Sequence, residues 1–116
     1  MALLKAKLSG SSDGMPINTL ATTSTGATTI HTFTASTGAN TWDEIYLWGF
    51  NNGTGSVNIT LEYGSTANTI VQTLGAKAGN TLILPGTIGN AGVILKAFKS
   101  GSATVGVVGF INQISS

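Results

Sequence analysis

Apolar and polar residues alternate with a period of two along much of the chain. In the 41–64 stretch TWDEIYLWGFNNGTGSVNITLEYG, Val57, Ile59, Leu61 and Tyr63 alternate with Asn58, Thr60 and Glu62, the pattern of a strand with one wet face. The first half of the stretch differs. Ile45, Leu47 and Gly49 alternate with Tyr46, Trp48 and Phe50, so both faces of that strand are apolar. In all, apolar runs at 43–51, 56–63, 69–74, 80–85, 93–98 and 104–111 are separated by NGTG, GSTAN, GAKAG, GTIGNAG and KSGSA. Gly and Asn in those breaks tolerate the positive φ of tight turns, and strands at such spacing predict an antiparallel sandwich or barrel. No window shows the three-to-four spacing of an amphipathic helix.

The texture changes ahead of Trp42. Residues 9–29, SGSSDGMPINTLATTSTGATT, carry few bulky apolar side chains apart from MPINTL. Such a segment buries little by itself, so residues 1–27 are expected to form an extended N-terminal arm and 28–116 a single β-sandwich domain. TTIHTFT at 28–34 adds a strand, flanked by breaks at SGSSDG and STGAN, and KAKL or MPINTL supplies one more short strand. The total is about eight, the number in a two-sheet jelly roll. An immunoglobulin-like sandwich fits the spacing nearly as well, but its paired cysteines are missing. The expected class is therefore all-β, antiparallel and jelly-roll-like.

Composition narrows the functional classes. A chain of 116 residues supports one core. Charged residues make up 8%, about a third of the globular norm. No run approaches the roughly 18 consecutive apolar residues of a membrane span, and MALLKAKL lacks the length and cleavage site of a signal peptide. The absence of cysteine removes disulfides and thiolate metal sites and fits synthesis in a cytosol. Lys5, Lys7, Lys77, Lys96 and Lys99 are scattered, with no arginine, which argues against nucleic acid as a partner.

Catalytic constellations fail on inspection. His31 stands alone in a Thr-rich strand with no GxSxG elbow around any serine. Asp13, Asp43, Glu44 and Glu62 never gather at metal-ligand spacing, and adjacent Asp43 and Glu44 read as a solvated strand entrance whose side chains point to opposite faces. GAKAG and GTIGNAG lack the context of a phosphate loop and read as turns. No enzyme activity, cofactor, metal or small-molecule substrate is expected. Gly106 and Gly109, inside the strand TVGVVGFI, mark a bulge or a close approach, either by a ring such as Trp48 or by another subunit.

The aromatic cluster is the remaining lead. Trp42, Tyr46, Trp48 and Phe50 fall within nine residues, and the last three share one face. Each ring can bury about 150–250 Å², more in line than a monomer usually leaves wet. One face of this strand is expected to line the core and the other to be covered by the arm or, preferably, by another chain, with Gly106 and Gly109 in the same oligomer or partner interface.

The run WDEIYLWGFNNGTGSVNITLEYG, the TLILPG turn and the closing VGVVGFINQI resemble small virion proteins of tailed bacteriophages of the head decoration, or cement, type, over residues 41–114. That resemblance implies a β-sandwich subunit, a homotrimer, made in the host cytoplasm and placed on the capsid surface, where it ties major capsid proteins together. The arm, with Lys5, Lys7, Met15, Ile17 and Leu20, would be the part that reaches the capsid. The competing expectation is a carbohydrate- or receptor-binding module in which the same rings stack on sugars.

Overall fold

The computed structural model describes residues 2–38, 40–101 and 104–115. Eight strands make up the fold, with no helix among the described residues: β1 (Ala2–Lys7), β2 (Thr28–Thr32), β3 (Trp42–Asn51), β4 (Val57–Tyr63), β5 (Thr69–Leu74), β6 (Thr81–Gly89), β7 (Ile94–Lys99) and β8 (Val105–Ser115). They form two four-stranded sheets, β1-β8-β3-β6 and β2-β7-β4-β5, in which every neighbouring pair is antiparallel. The pairing is nested: β1 with β8, β2 with β7, β3 with β6 and β4 with β5. Only the β4–β5 connection stays within one sheet, so every other loop crosses between the layers.

Alternation decides what each strand buries. On β3, Asp43, Ile45, Leu47, Gly49 and Asn51 point inward and are buried, while Trp42, Glu44, Tyr46, Trp48 and Phe50 are half-buried on the other side. Val57, Ile59 and Leu61 of β4 answer from the second sheet, joined by Leu74, Leu84, Leu95, Ala97, Val105, Val107 and Ile111. Gly49 leaves room at the centre of this layer, since a Cβ there would meet Ile83 Cδ1 at 2.8 Å and the methyls of Ile59 and Leu74 at 3.2 Å.

Two boundaries differ from the sequence reading. GTIGNAG was expected as a turn, yet β6 runs on to Gly89. The strand survives its glycines through bulges: the register with β3 shifts at Ile45/Tyr46 and Leu47/Trp48, and Gly86, at φ 94°, takes the first of them. The breaks expected at STGAN and KSGSA fall partly on residues 39 and 102–103, outside the described residues.

The larger difference lies at the N-terminus, where the described part of the expected arm is folded into the body. Residues 2–7 are the edge strand of the first sheet, and Leu8, Ile17 and Leu20 sit in the core. Ile17 exchanges two backbone hydrogen bonds with Val107 of β8 at 2.7 and 2.9 Å, taking over the edge that β1 leaves after Lys7. Gly10 N–H then donates to Ile30 on β2, and Lys99 N–H of β7 donates to Ala21. The segment thus closes one open side of the sandwich. Apolar side chains at 8, 17 and 20 are few, but all three are buried, each worth up to about 1.5–3 kcal/mol on burial.

Candidate functional site

The outer face of the first sheet gathers the aromatic residues. Cross-strand partners share a face, so Trp42, Glu44, Tyr46, Trp48 and Phe50 stand beside Ile114, Asn112, Phe110, Val108 and Gly106 of β8. On the far side of β3, Ile88, Pro85 and Leu82 pair with Glu44, Tyr46 and Trp48. On the far side of β8, Leu3, Lys5 and Lys7 pair with Ile114, Asn112 and Phe110. Tyr46 and Phe110 stack at 5.1 Å and 17°, Trp48 leans on Phe110 at 6.0 Å, and Lys5 Nζ lies 4.3 Å above the Phe110 ring. Leu3, Leu82 and Ile88 are exposed at 65%, 46% and 52%, so the apolar rim is open to water while the rings shield one another. The outer face of the second sheet is more mixed: Thr32, Asn58, Thr60, Thr69, Thr73 and Lys96 are polar, and Val71, Ile94 and Phe98 are set among them.

The sequence-predicted interface residues divide here. Trp42, Tyr46, Trp48 and Phe50 do share one face, as the two-residue period required. Gly106 and Gly109 make their close approaches within the chain itself, and not under Trp48. A Cβ at Gly106 would lie 2.5 Å from the Ile17 carbonyl oxygen and 2.7 Å from Phe50 Cζ, and one at Gly109 would lie 2.0 Å from the Tyr46 carbonyl oxygen. Their missing side chains serve the fold, by letting the 17–18 segment and β3 come near. Gly86 does the same for Tyr46, whose hydroxyl and ring carbons would stand 3.0–3.4 Å from a Cβ there.

Of the five residues assigned to a reaching arm, Ile17 and Leu20 are 8% and 5% exposed and belong to the core, whereas Lys5, Lys7 and Met15 remain on the surface. Lys7 pairs with Asp13 at 3.8 Å in full solvent. Met15 lines an open groove of about 600 Å³ with Gly10, Ser12, Asn18, Phe50 and Asn52, next to the Phe50 end of the aromatic face. The N-terminal segment therefore covers that face only at one corner.

A second constellation escaped the sequence reading. Asp43, taken as solvated, is 1% exposed and faces His31, itself 5% exposed, with Nε2 3.5 Å from Oδ2. Asp43 accepts hydrogen bonds from Thr34 N–H and Gln113 Nε2, both at 2.9 Å. Ser9 N–H donates to His31 Nδ1 at 3.1 Å, which leaves the ring proton on Nε2, toward the carboxylate. Burial pushes the His31 pKa below its ordinary 6.5, with Asp43 opposing the shift. Phe33 meets His31 edge-on at 5.0 Å and Tyr63 at 5.6 Å, and burial followed by the Asp43 charge pushes the Tyr63 hydroxyl up to about 12. The histidine's two nitrogens face a carboxylate and a backbone amide, so it has no nucleophile to activate; the cluster joins β2, β3 and β8 through polar contacts. The inward alternation of 43 with 45 and 47 carried the signal for Asp43, and only the topology brings His31 to it.

No three of His, Asp and Glu gather as a metal site among the described residues. The chain matches no protein-family model, no curated protein and no solved structure.

Proposed function

We propose that this protein is a structural subunit of a bacteriophage head, one that decorates the capsid by seating the outer face of its β1-β8-β3-β6 sheet on major capsid protein. The carrying observation is the contrast between the two outer faces: on one, Phe110, Tyr46, Trp48, Pro85 and Leu82 form an aromatic and apolar patch bordered by the polar row Lys5, Asn112 and Glu44; on the other, Asn58, Thr60, Thr69, Thr73 and Lys96 leave Val71, Ile94 and Phe98 without a cluster of rings. Strands of six, eleven, ten and nine residues, at about 3.3 Å per residue and about 4.8 Å apart, make a face of roughly 600 Å²; covering it buries roughly 1,200 Å² over both partners, the lower bound of a standard protein interface. Many symmetric copies then add their binding free energies to the assembled shell. The nested strand order with β1 beside β8 supports the jelly-roll reading over the immunoglobulin-like one, whose sheets hold four and three strands. The capsid as partner, and the trimer around a threefold position, rest on the resemblance of residues 41–114.

The alternative is a sugar-binding module; the Tyr46–Phe110 stack occupies one face of Tyr46 and leaves Trp42 and Trp48 as the rings that would stack on a sugar. The test is co-sedimentation with heads of the encoding phage assembled without this protein. The wild type should pellet with the heads and Trp48→Lys should stay in the supernatant while keeping its circular dichroism. Equal pelleting of the two, or tryptophan fluorescence that responds to glycans and not to heads, would overturn the reading.

A further inference from the structure

The two sheets have four edges, and three of them are blunted. β1 carries Lys5 and Lys7. β6 carries Pro85 and two bulges. β2 has a bulge between Thr29 and His31 and is overlaid by Ser9 and Gly10, which bond to Thr32 and Ile30. Lysine, proline, bulges and coverage are the usual means by which a sheet edge is kept from pairing. β5 has none of these: TIVQTL is uncharged, free of proline and glycine, in unbroken register with β4, and exposes Val71 at 57% and Ile70 at 38%.

The hydrogen-bonding phase of that edge follows from the turn. Tyr63 N–H donates to Asn68 C=O at 2.8 Å, so Asn68, Ile70, Gln72 and Leu74 direct their backbone groups at β4. Antiparallel alternation then turns the N–H and C=O of Thr69, Val71 and Thr73 to the open side. The Gln72 side chain donates to the Thr73 carbonyl at 3.1 Å and caps that one acceptor. The pairs of Thr69 and Val71 and the Thr73 N–H are open, and with the Thr73 carbonyl released by Gln72 they form a pattern, centred on Val71, that complements itself under a twofold axis.

We infer that β5 pairs antiparallel with β5 of a second copy of this chain, about a twofold axis at Val71. In that register Val71 faces its own counterpart and Thr69 faces Thr73, so branched side chains meet branched side chains along the outer row. A shift by one residue would place a core-facing side chain opposite a solvent-facing one, which confines the register to this parity. The axis runs normal to the sheet, so β2-β7-β4-β5 becomes an eight-stranded sheet and both aromatic faces point the same way. If those faces dock as proposed above, the dimer docks bivalently; the pairing itself does not depend on that reading. The contact is isologous and yields a dimer, where the resemblance implied a trimer.

Edge contacts of this size belong to the small, weak class, so the assay is sedimentation velocity from about 10 to about 500 µM. The wild type should move from monomer to dimer over this range. Val71→Lys, which sets like charges against each other at the axis, should weaken association about tenfold or more, as should Val71→Glu, and an equimolar mixture of the two should restore it. Trp48→Lys should dimerise as the wild type does. Monomer throughout, a trimer, undiminished association of Val71→Lys, or a mixture no better than its components would each overturn the inference. Loss of the dimer in Trp48→Lys but not in Val71→Lys would place the contact on the aromatic face instead. Circular dichroism of the variants keeps loss of folding apart from loss of pairing.

Discussion

Replacing Gly106 with alanine tests whether the N-terminal segment belongs to the fold. The added Cβ would stand 2.5 Å from the Ile17 carbonyl oxygen and 3.0 Å from Asn18 Cα, where ordinary contact begins at 3.4 Å. Both obstacles are backbone, so the 17–18 segment must retreat from β8 by most of an ångström. That retreat breaks the reciprocal Ile17–Val107 bonds, now 2.7 and 2.9 Å, and draws Ile17 partly out of the core. Two hydrogen bonds at about 1 kcal/mol each, with roughly half of an isoleucine's burial, sum to about 3 kcal/mol. Against a stability of about 5–15 kcal/mol the protein stays folded with a lower urea midpoint. Amide exchange should show the Ile17 and Val107 N–H groups losing protection while the centre of β3 keeps its own. Gly55→Ala is the control, since nothing lies within 4 Å of a Cβ there, and it should change stability by less than about 0.5 kcal/mol. An unaltered midpoint with a still-protected Ile17 amide in Gly106→Ala would refute the docking of this segment.

Two further outcomes are expected. Because burial holds the His31 pKa below 6.5, the unfolded chain binds the proton first as pH falls; stability is complete above about 6.5 and declines below it, and urea midpoints between about pH 8 and about pH 5 should show a slope that His31→Gln removes. Asn51 is fully buried and donates to the carbonyls of Gly55, Leu74 and Gly75 while accepting from Gly53 N–H, so Asn51→Ala should cost about 2–4 kcal/mol in urea unfolding.

The period-two pattern made most of the architecture legible. Runs at 56–63 and 69–74 lie on β4 and β5 almost residue for residue, and the doubly apolar stretch became β3, with Ile45 and Leu47 inside and three rings outside. What the pattern misjudged has physical causes. Gly86 and Gly89 were read as a turn because glycine breaks strands, but here a bulge beside Tyr46 uses the positive φ without ending the strand. Residues 9–27 looked too poor in apolar side chains to fold, because composition does not reveal that Ile17 and Leu20 find an open side of the sandwich ready to take them. Asp43 was judged by its charge and not by its place in the alternation, and a buried carboxylate is tolerable only with partners that topology alone supplies, here Thr34, Gln113 and His31.

Of the candidate site, the aromatic strand was legible and the face was not. The β6 and β8 neighbours that turn three rings into a surface come from residues 82–88 and 108–114, more than thirty positions away in the chain. The same holds for β5, whose openness shows only once the other three edges are seen to be guarded.

Hydroxyl-radical footprinting of the protein free and bound to phage heads tests the proposed docking most directly. Oxidation of Trp48, Phe110 and Leu82 should fall several-fold on binding, while Thr60 and Asn58 on the opposite sheet keep their free rates. Equal rates at Trp48 and Phe110 in the two states, with protection elsewhere, would contradict the account.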